Sequence, residues 1–185
     1  MKRMRGAIAI AVSFGAFGCG GGFATGRPWN AEAEASVFDD GVDLVDDPAK
    51  LSGEWETAAR MALEHRATSA DMTAIVDISS IQTTKDVDGT EARRITVEIV
   101  EMLYGATPEK TLALESAATA LGNSLIVRHE QRLDGAFIVF VRWFDRPDGT
   151  VGSHFHFSPS SPAVQAVVRA EILDRIKRED ASKQR

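Results

Sequence analysis

The sequence predicts an α+β domain that is mainly β: a small five-stranded barrel or curved antiparallel sheet, with one helix before it and one after. Three observations carry that reading. Apolar, β-branched runs recur between glycine-containing turns; one run, Ala136 to Phe144, is apolar at successive positions; and helical spacing flanks the series on both sides. At 185 residues, 44% hydrophobic and 26% charged, the chain has the size and composition of one globular domain.

Leu51-Ser52-Gly53-Glu54-Trp55 has the form of a helix start, with Ser52 as N-cap and acids in the first turn. Trp55, Ala59, Ala62 and Leu63 then share one helical face, and the helix is expected to end near Arg66. Ile75, Val76, Ile78 and Ile81 mark a first strand from Met72 to Thr83, and Asp88-Gly89 a turn. Ile95, Val97 and Ile99 alternate with Thr96, Glu98 and Val100, placing a second strand from about Arg93 to Tyr104. After a turn over Gly105 to Glu109 comes a short third strand, Thr111 to Leu114. Ala117 to Asn123 reads as a loop and Ser124 to Arg128 as a brief strand.

Asp134-Gly135 turns the chain into the core strand. Phe137, Val139, Val141 and Trp143 point one way, and Ile138, Phe140 and Phe144 the other, so both faces must be covered. Asp148-Gly149 closes a hairpin onto Val151 to Ser158. Ser161-Pro162 caps and opens a last helix, whose buried stripe is Val164, Val168, Ile172 and Ile176. Its charged end, Lys177 to Arg185, is expected to fray, with the folded domain spanning 51–180 and a loose tail over 181–185.

The first 26 residues differ in kind. They hold seven of the 15 glycines, and no residue from Gly6 to Gly26 is charged. A basic start (Lys2, Arg3, Arg5), an apolar run from Gly6 to Phe17 and a small residue at Gly18 are the marks of a secretory signal over 1–18. The run is shorter and richer in glycine than a spanning helix of roughly 20 apolar residues. Ala16-Phe17-Gly18-Cys19 resembles a bacterial lipobox, with Phe17 where a small residue is usual. The resemblance implies that Cys19 takes a diacylglycerol thioether, becomes the N-terminus and is then acylated. Two or more chains, at about 0.8 kcal/mol per buried methylene, make a stable anchor. Residues 19–50 then read as a flexible acidic tether: three glycines follow Cys19, and Pro28 to Ala49 carries seven acids and no base.

Charge and cysteine count exclude other classes. The net charge is −6, and removal of residues 1–18 leaves 18 bases against 27 acids, or −9. Such a surface is unsuited to nucleic acid or to anionic lipid, so attachment falls to the lipid on Cys19. One cysteine permits neither an internal disulfide nor a cysteine-rich zinc site.

Three phrases carry a further likeness. Thr96-Val97-Glu98-Ile99-Val100-Glu101-Met102-Leu103-Tyr104-Gly105, Ala136-Phe137-Ile138-Val139-Phe140-Val141-Arg142-Trp143 and His154-Phe155-His156-Phe157-Ser158-Pro159 resemble uncharacterised bacterial envelope lipoproteins. Their domain is OB-like and similar to metalloproteinase-inhibitor modules. The likeness covers about residues 70–160 and implies an OB-like barrel; none of the phrases is a catalytic motif. Inhibitors of that kind chelate zinc through a disulfide-pinned N-terminal cysteine, which this chain does not possess.

Candidate chemistry is sparse. His154 and His156, two apart on a strand, point to one face and make two ligands for zinc or copper, where a site needs a third and usually a fourth. Arg128, His129, Gln131 and Arg132, together with Arg142, are candidates for a rim that meets an anionic group. Asp86-Val87-Asp88-Gly89 has Thr84 and Ile95 where a calcium loop needs oxygen ligands, and reads as a turn. No Gly-X-Ser-X-Gly elbow is present and no catalytic residue is assigned. The expectation is a non-enzymatic lipoprotein, on the outer rather than the inner membrane, that binds a protein or another envelope component. The alternatives are a metal-binding protein using His154 and His156 and a purely structural envelope component.

Overall fold

In the computed structural model, which describes residues 27–85 and 89–184, six strands form one sheet. They are β1 (Gly41–Val42), β2 (Met72–Lys85), β3 (Glu91–Tyr104), β4 (Thr111–Ser116), β5 (Ala136–Asp145) and β6 (Val151–Pro159), in the spatial order β1-β6-β5-β2-β3-β4. Every pairing is antiparallel except β1 with β6, where Gly41 lies beside His156 and Val42 beside Phe157. Helices α2 (Glu54–Ser69) and α4 (Pro162–Lys183) precede and follow the main strands, as the sequence predicts. The sheet is open. It curls enough for β4 to approach β6, but the described strands form no ladder there, so the five-stranded closed barrel does not form.

The two-faced character of β5 organises the core. Phe137, Val139 and Val141 enter one apolar cluster with Met72, Ile95, Val97, Leu114, Phe155 and Phe157. Ile138 and Phe140 enter a second cluster on the opposite face, where Leu63 and Ala67 of α2 and Val164, Val168 and Ile172 of α4 cover the sheet. Each fully buried phenylalanine contributes about 1.5–3 kcal/mol through area removed from water. Gly105, at φ +79°, ends β3 where backbone must pass close to backbone. A Cβ there would stand 2.4 Å from the Asp71 carbonyl oxygen, which forbids any other residue.

Four local expectations change. Ser124 to Arg128 is not a strand but lies within α3 (Asn123–His129), which buries Asn123 and Ile126 at i, i+3 spacing. Tertiary covering of the curled face overrides the β preference of Ile126 and Val127. The cap of α2 is Gly53, at φ +62°, and no side-chain hydrogen bond caps it, so Ser52 has no such role. Trp55 overhangs the core beside the 43–51 segment and is 77% exposed, because α2 docks through Leu63, Arg66 and Ala67 further along. At the far end α4 stays helical to Lys183, where Glu179 accepts from Tyr104 Oη (2.8 Å) and Arg175 Nε (2.9 Å). Fraying from Lys177 onward is thus not observed.

The largest correction concerns the acidic segment. From Arg27 onward it is part of the fold, with a short helix α1 (Ala31–Glu34) and then β1. Val37, Phe38 and Val42 are buried, Phe38 at 1% exposure. Their apolar area has the sheet face to cover, and the acids between them meet bases on the domain, so a self-repelling chain becomes a strap. Backbone closeness makes the seam: a Cβ on Gly122 would lie 2.2 Å from Gly41 Cα. The expected tether shortens accordingly. Residues 19–26, the signal at 1–18 and Cys19 itself lie outside the described residues, as do Asp86, Val87 and Asp88 of the first turn.

Candidate functional site

Alternation along β6 sends Phe155 and Phe157 into one cluster and His154, His156 and Ser158 to the other face. The strap crosses that face. His156 Nδ1 is 2.7 Å from Asp39 Oδ1 and its Nε2 is 3.2 Å from Asp43 Oδ2. A ring carrying hydrogen on both nitrogens satisfies the two contacts together. Asp43 Oδ2 also accepts from Arg66 Nη1 (2.9 Å) and Ser158 Oγ (2.7 Å). Burial raises the Asp39 and Asp43 carboxyls, but His156, with Arg66 behind it, outweighs burial, and both sit below their ordinary value. Burial draws the Arg66 guanidinium down against the pull of Asp43 and Asp39.

His154 is held differently. Its ring stacks on Phe144, with centroids 4.7 Å apart, and lies against Trp29 at 4.1 Å. Nδ1 meets Asp40 Oδ2 at 2.8 Å, and among the described residues Nε2 has no hydrogen-bond partner. Asp40 is the one described non-glycine residue with positive φ, at +55°. Aspartate tolerates this region better than most residues, at a cost of order 1 kcal/mol. Four contacts hold it there. Its N–H donates to the Phe155 carbonyl (2.9 Å), Oδ1 accepts from the Phe155 N–H (3.0 Å), its carbonyl accepts from Ser116 Oγ (2.8 Å), and Oδ2 meets His154. Burial outweighs the His154 contact, so the Asp40 carboxyl is raised.

Trp29, His154 and the strap form one wall of a cleft of about 270 Å³, and the loop from Ala117 to Leu121 forms the other. Phe38, Asp39 and Asp40 reach it from the strap, and Thr119 and Leu121 from the loop. Leu121 is 73% exposed at the mouth. Ligand-orienting chemistry is present here: a braced imidazole, carboxylate, hydroxyl and apolar walls.

The predicted residues separate into three groups. His154 and His156 share a face as expected. Their Nδ1 atoms and His156 Nε2 are taken by Asp39, Asp40 and Asp43, however, and no group of three or more metal-ligand side chains converges among the described residues. Arg128, His129 and Arg132 lie on α3 and the turn after it, with both arginines exposed. Arg142 does not join them. It is buried under the strap, giving Nε to Glu34 Oε1 (2.6 Å) and Nη1 to Asp71 Oδ2 (2.8 Å). Arg142 is therefore not free to serve in a rim with Arg128, His129 and Arg132.

Sequence reasoning missed Trp29, Asp39, Asp40 and Asp43. The available signal was complementarity, a base-free acidic run in a chain with two histidines on one strand face. It also missed Arg93, which alternates inward with Ile95 and Val97 and is buried, its Nε 3.7 Å from Glu130. No described helix is long and apolar enough to cross a membrane. Comparison with protein-family models, with curated proteins and with solved structures finds no match.

Proposed function

We propose that the chain is a lipid-anchored protein of the bacterial envelope, most consistent with the outer membrane, whose α+β domain is a non-enzymatic binding module for a protein or another envelope component. The observation that carries the reading is the position of Cys19. The sole cysteine stands where the apolar run ends, only eight residues before the first described residue of the domain, Arg27. The pattern at 16–19 supports lipid attachment, and the domain beyond it supplies a shaped cleft and no membrane-crossing helix among the described residues. A binding role is supported by the cleft beside Trp29 and His154. No described serine or threonine hydroxyl is hydrogen-bonded to the ring of His154 or His156, so neither is paired as base to a nucleophile.

Metabolic labelling with an alkyne fatty acid tests the anchor. The wild-type chain is expected to take up label and to partition with membranes, and Cys19→Ser to do neither. A Cys19→Ser protein that still incorporates label and sediments with membranes overturns the proposal. Crosslinking in intact cells followed by mass spectrometry tests the binding role, with one dominant envelope partner expected rather than many.

A further inference from the structure

We propose that the cleft between Trp29 and Leu121 binds a small ammonium ligand, a primary amine carried on a short apolar or aromatic body. The inference rests on the reading of the domain as a binding module and specifies what one of its surfaces recognises.

Charge at the walls decides the sign of the ligand. Asp39 and Asp40 both reach the cleft, and none of the described residues lining it is lysine or arginine. Asp39 spends Oδ1 on His156, and its side chain, 20% exposed, lines the cleft. An N⁺–H donor on a carboxylate makes the stronger, charge-assisted kind of hydrogen bond. Trp29 lies beside it, and an indole attracts a cation through its ring quadrupole. With its hydrogen on Nδ1 towards Asp40, His154 leaves Nε2, without a partner among the described residues, to accept a second hydrogen bond from the same ligand.

Shape decides the rest. Leu121 and three alanines, with Phe38 packed behind them, make the rest of the lining mostly apolar. The volume, about 270 Å³, lies just under the roughly 300–1,000 Å³ of sites for drug-sized ligands, which suits an amine of fragment size. The polar corner is preorganised: Asp40 is fixed by four contacts, and the His154 ring is pinned by Phe144 on one side and Trp29 beside it. Little side-chain ordering is left for a ligand to impose.

Three isosteric probes test this on the full-length protein in detergent: phenethylammonium, 2-phenylethanol and phenylacetate, followed by calorimetry and amide NMR. Phenethylammonium is expected to saturate a site with shifts at Trp29, Thr119 and Leu121, at least about tenfold tighter than either analogue. Thr119→Lys, on the exposed loop, sets a competing cation in the cleft. It should weaken phenethylammonium by about tenfold or more with the thermal midpoint unchanged. Equal or tighter binding of the alcohol or the carboxylate, indifference to Thr119→Lys, or no saturable binding of the amine overturns the proposal. A protein that fails the titration yet takes lipid at Cys19 and yields one crosslinked partner loses only the ligand assigned to this cleft.

Discussion

Asp43 and Arg66 form a partly buried ion pair, Oδ2 to Nη1 at 2.9 Å, that ties the strap to α2. The Arg66 side chain is 9% exposed and its Nε donates to the Val37 carbonyl, so it cannot turn outward without breaking a second strap contact. Asp43→Ala leaves that guanidinium with Asp39 as the other carboxylate acting on it. Removal of one partner from a buried pair costs about 3–5 kcal/mol, and the 28% exposure of Asp43 lowers the expectation to about 2 kcal/mol. Urea unfolding measures it as a lower midpoint at unchanged slope.

Acid should loosen the same seam. The Asp39 and Asp43 carboxyls sit below 3.8 in the folded chain, so the stability they contribute is complete above that value and is lost as pH falls through their lowered values. Asp40, raised by burial, has the opposite sign: its folded form holds the proton more tightly, so its contribution grows as pH falls towards 3.8. Below 3.8 the contribution of Asp40 is complete and only the two lowered groups still change, which gives net loss at the acid end. Urea midpoints recorded from about pH 4 to pH 2 should fall, and fall less steeply in Asp43→Asn. Equal slopes in the two proteins would contradict the assignment.

Phe38→Ala distinguishes a strap from a tether. In a solvated linker the change would be silent. In a fully buried position it is expected to cost about 3–5 kcal/mol, as other buried phenylalanines do. Met61→Ala, on the exposed side of α2, is the control and should move stability by less than about 0.5 kcal/mol.

Gly122→Ala places a methyl 2.2 Å from Gly41 Cα and 2.5 Å from its nitrogen, both backbone atoms that cannot swing aside. The strap or α3 must shift, with an expected loss of about 1–3 kcal/mol in thermal unfolding. Gly135→Ala, with open space around it but φ +105°, should lose stability through backbone strain alone.

How much of this was legible depends on the range of the cause. The β5 strand was readable because its two faces are written locally: Phe137, Val139 and Val141 against Ile138 and Phe140, and the two clusters divide them in that way. The start of α4 was readable for the same reason, since Ser161 accepts from the Val164 N–H at 3.2 Å. Ser124 to Arg128 was not, because one buried face at Asn123 and Ile126 is all that distinguishes its helix from a strand. The strap was hidden most deeply. Its acids find hydrogen-bond partners in His154, His156 and Arg142, more than 100 positions away, and in Arg66, 23 positions from Asp43. A run of aspartates taken alone has only its own repulsion to show. The site inherited that blindness, for half of the cleft is strap.

The folding of the strap onto the domain also changes what the domain can touch. Seven residues separate Cys19 from Arg27, so the eight steps between them reach at most about 29 Å at 3.3–3.6 Å per residue. With lipid on Cys19, the domain is a near-surface object with little lateral sweep, and it would meet soluble partners only where they come down to the bilayer. Arg27 is moreover paired to Asp71 and bridged to Phe144, so the mooring line enters beside Trp29. On the anchor proposed at Cys19, the cleft beside Trp29 would stand at the moored end of the molecule, turned towards whatever the membrane itself presents.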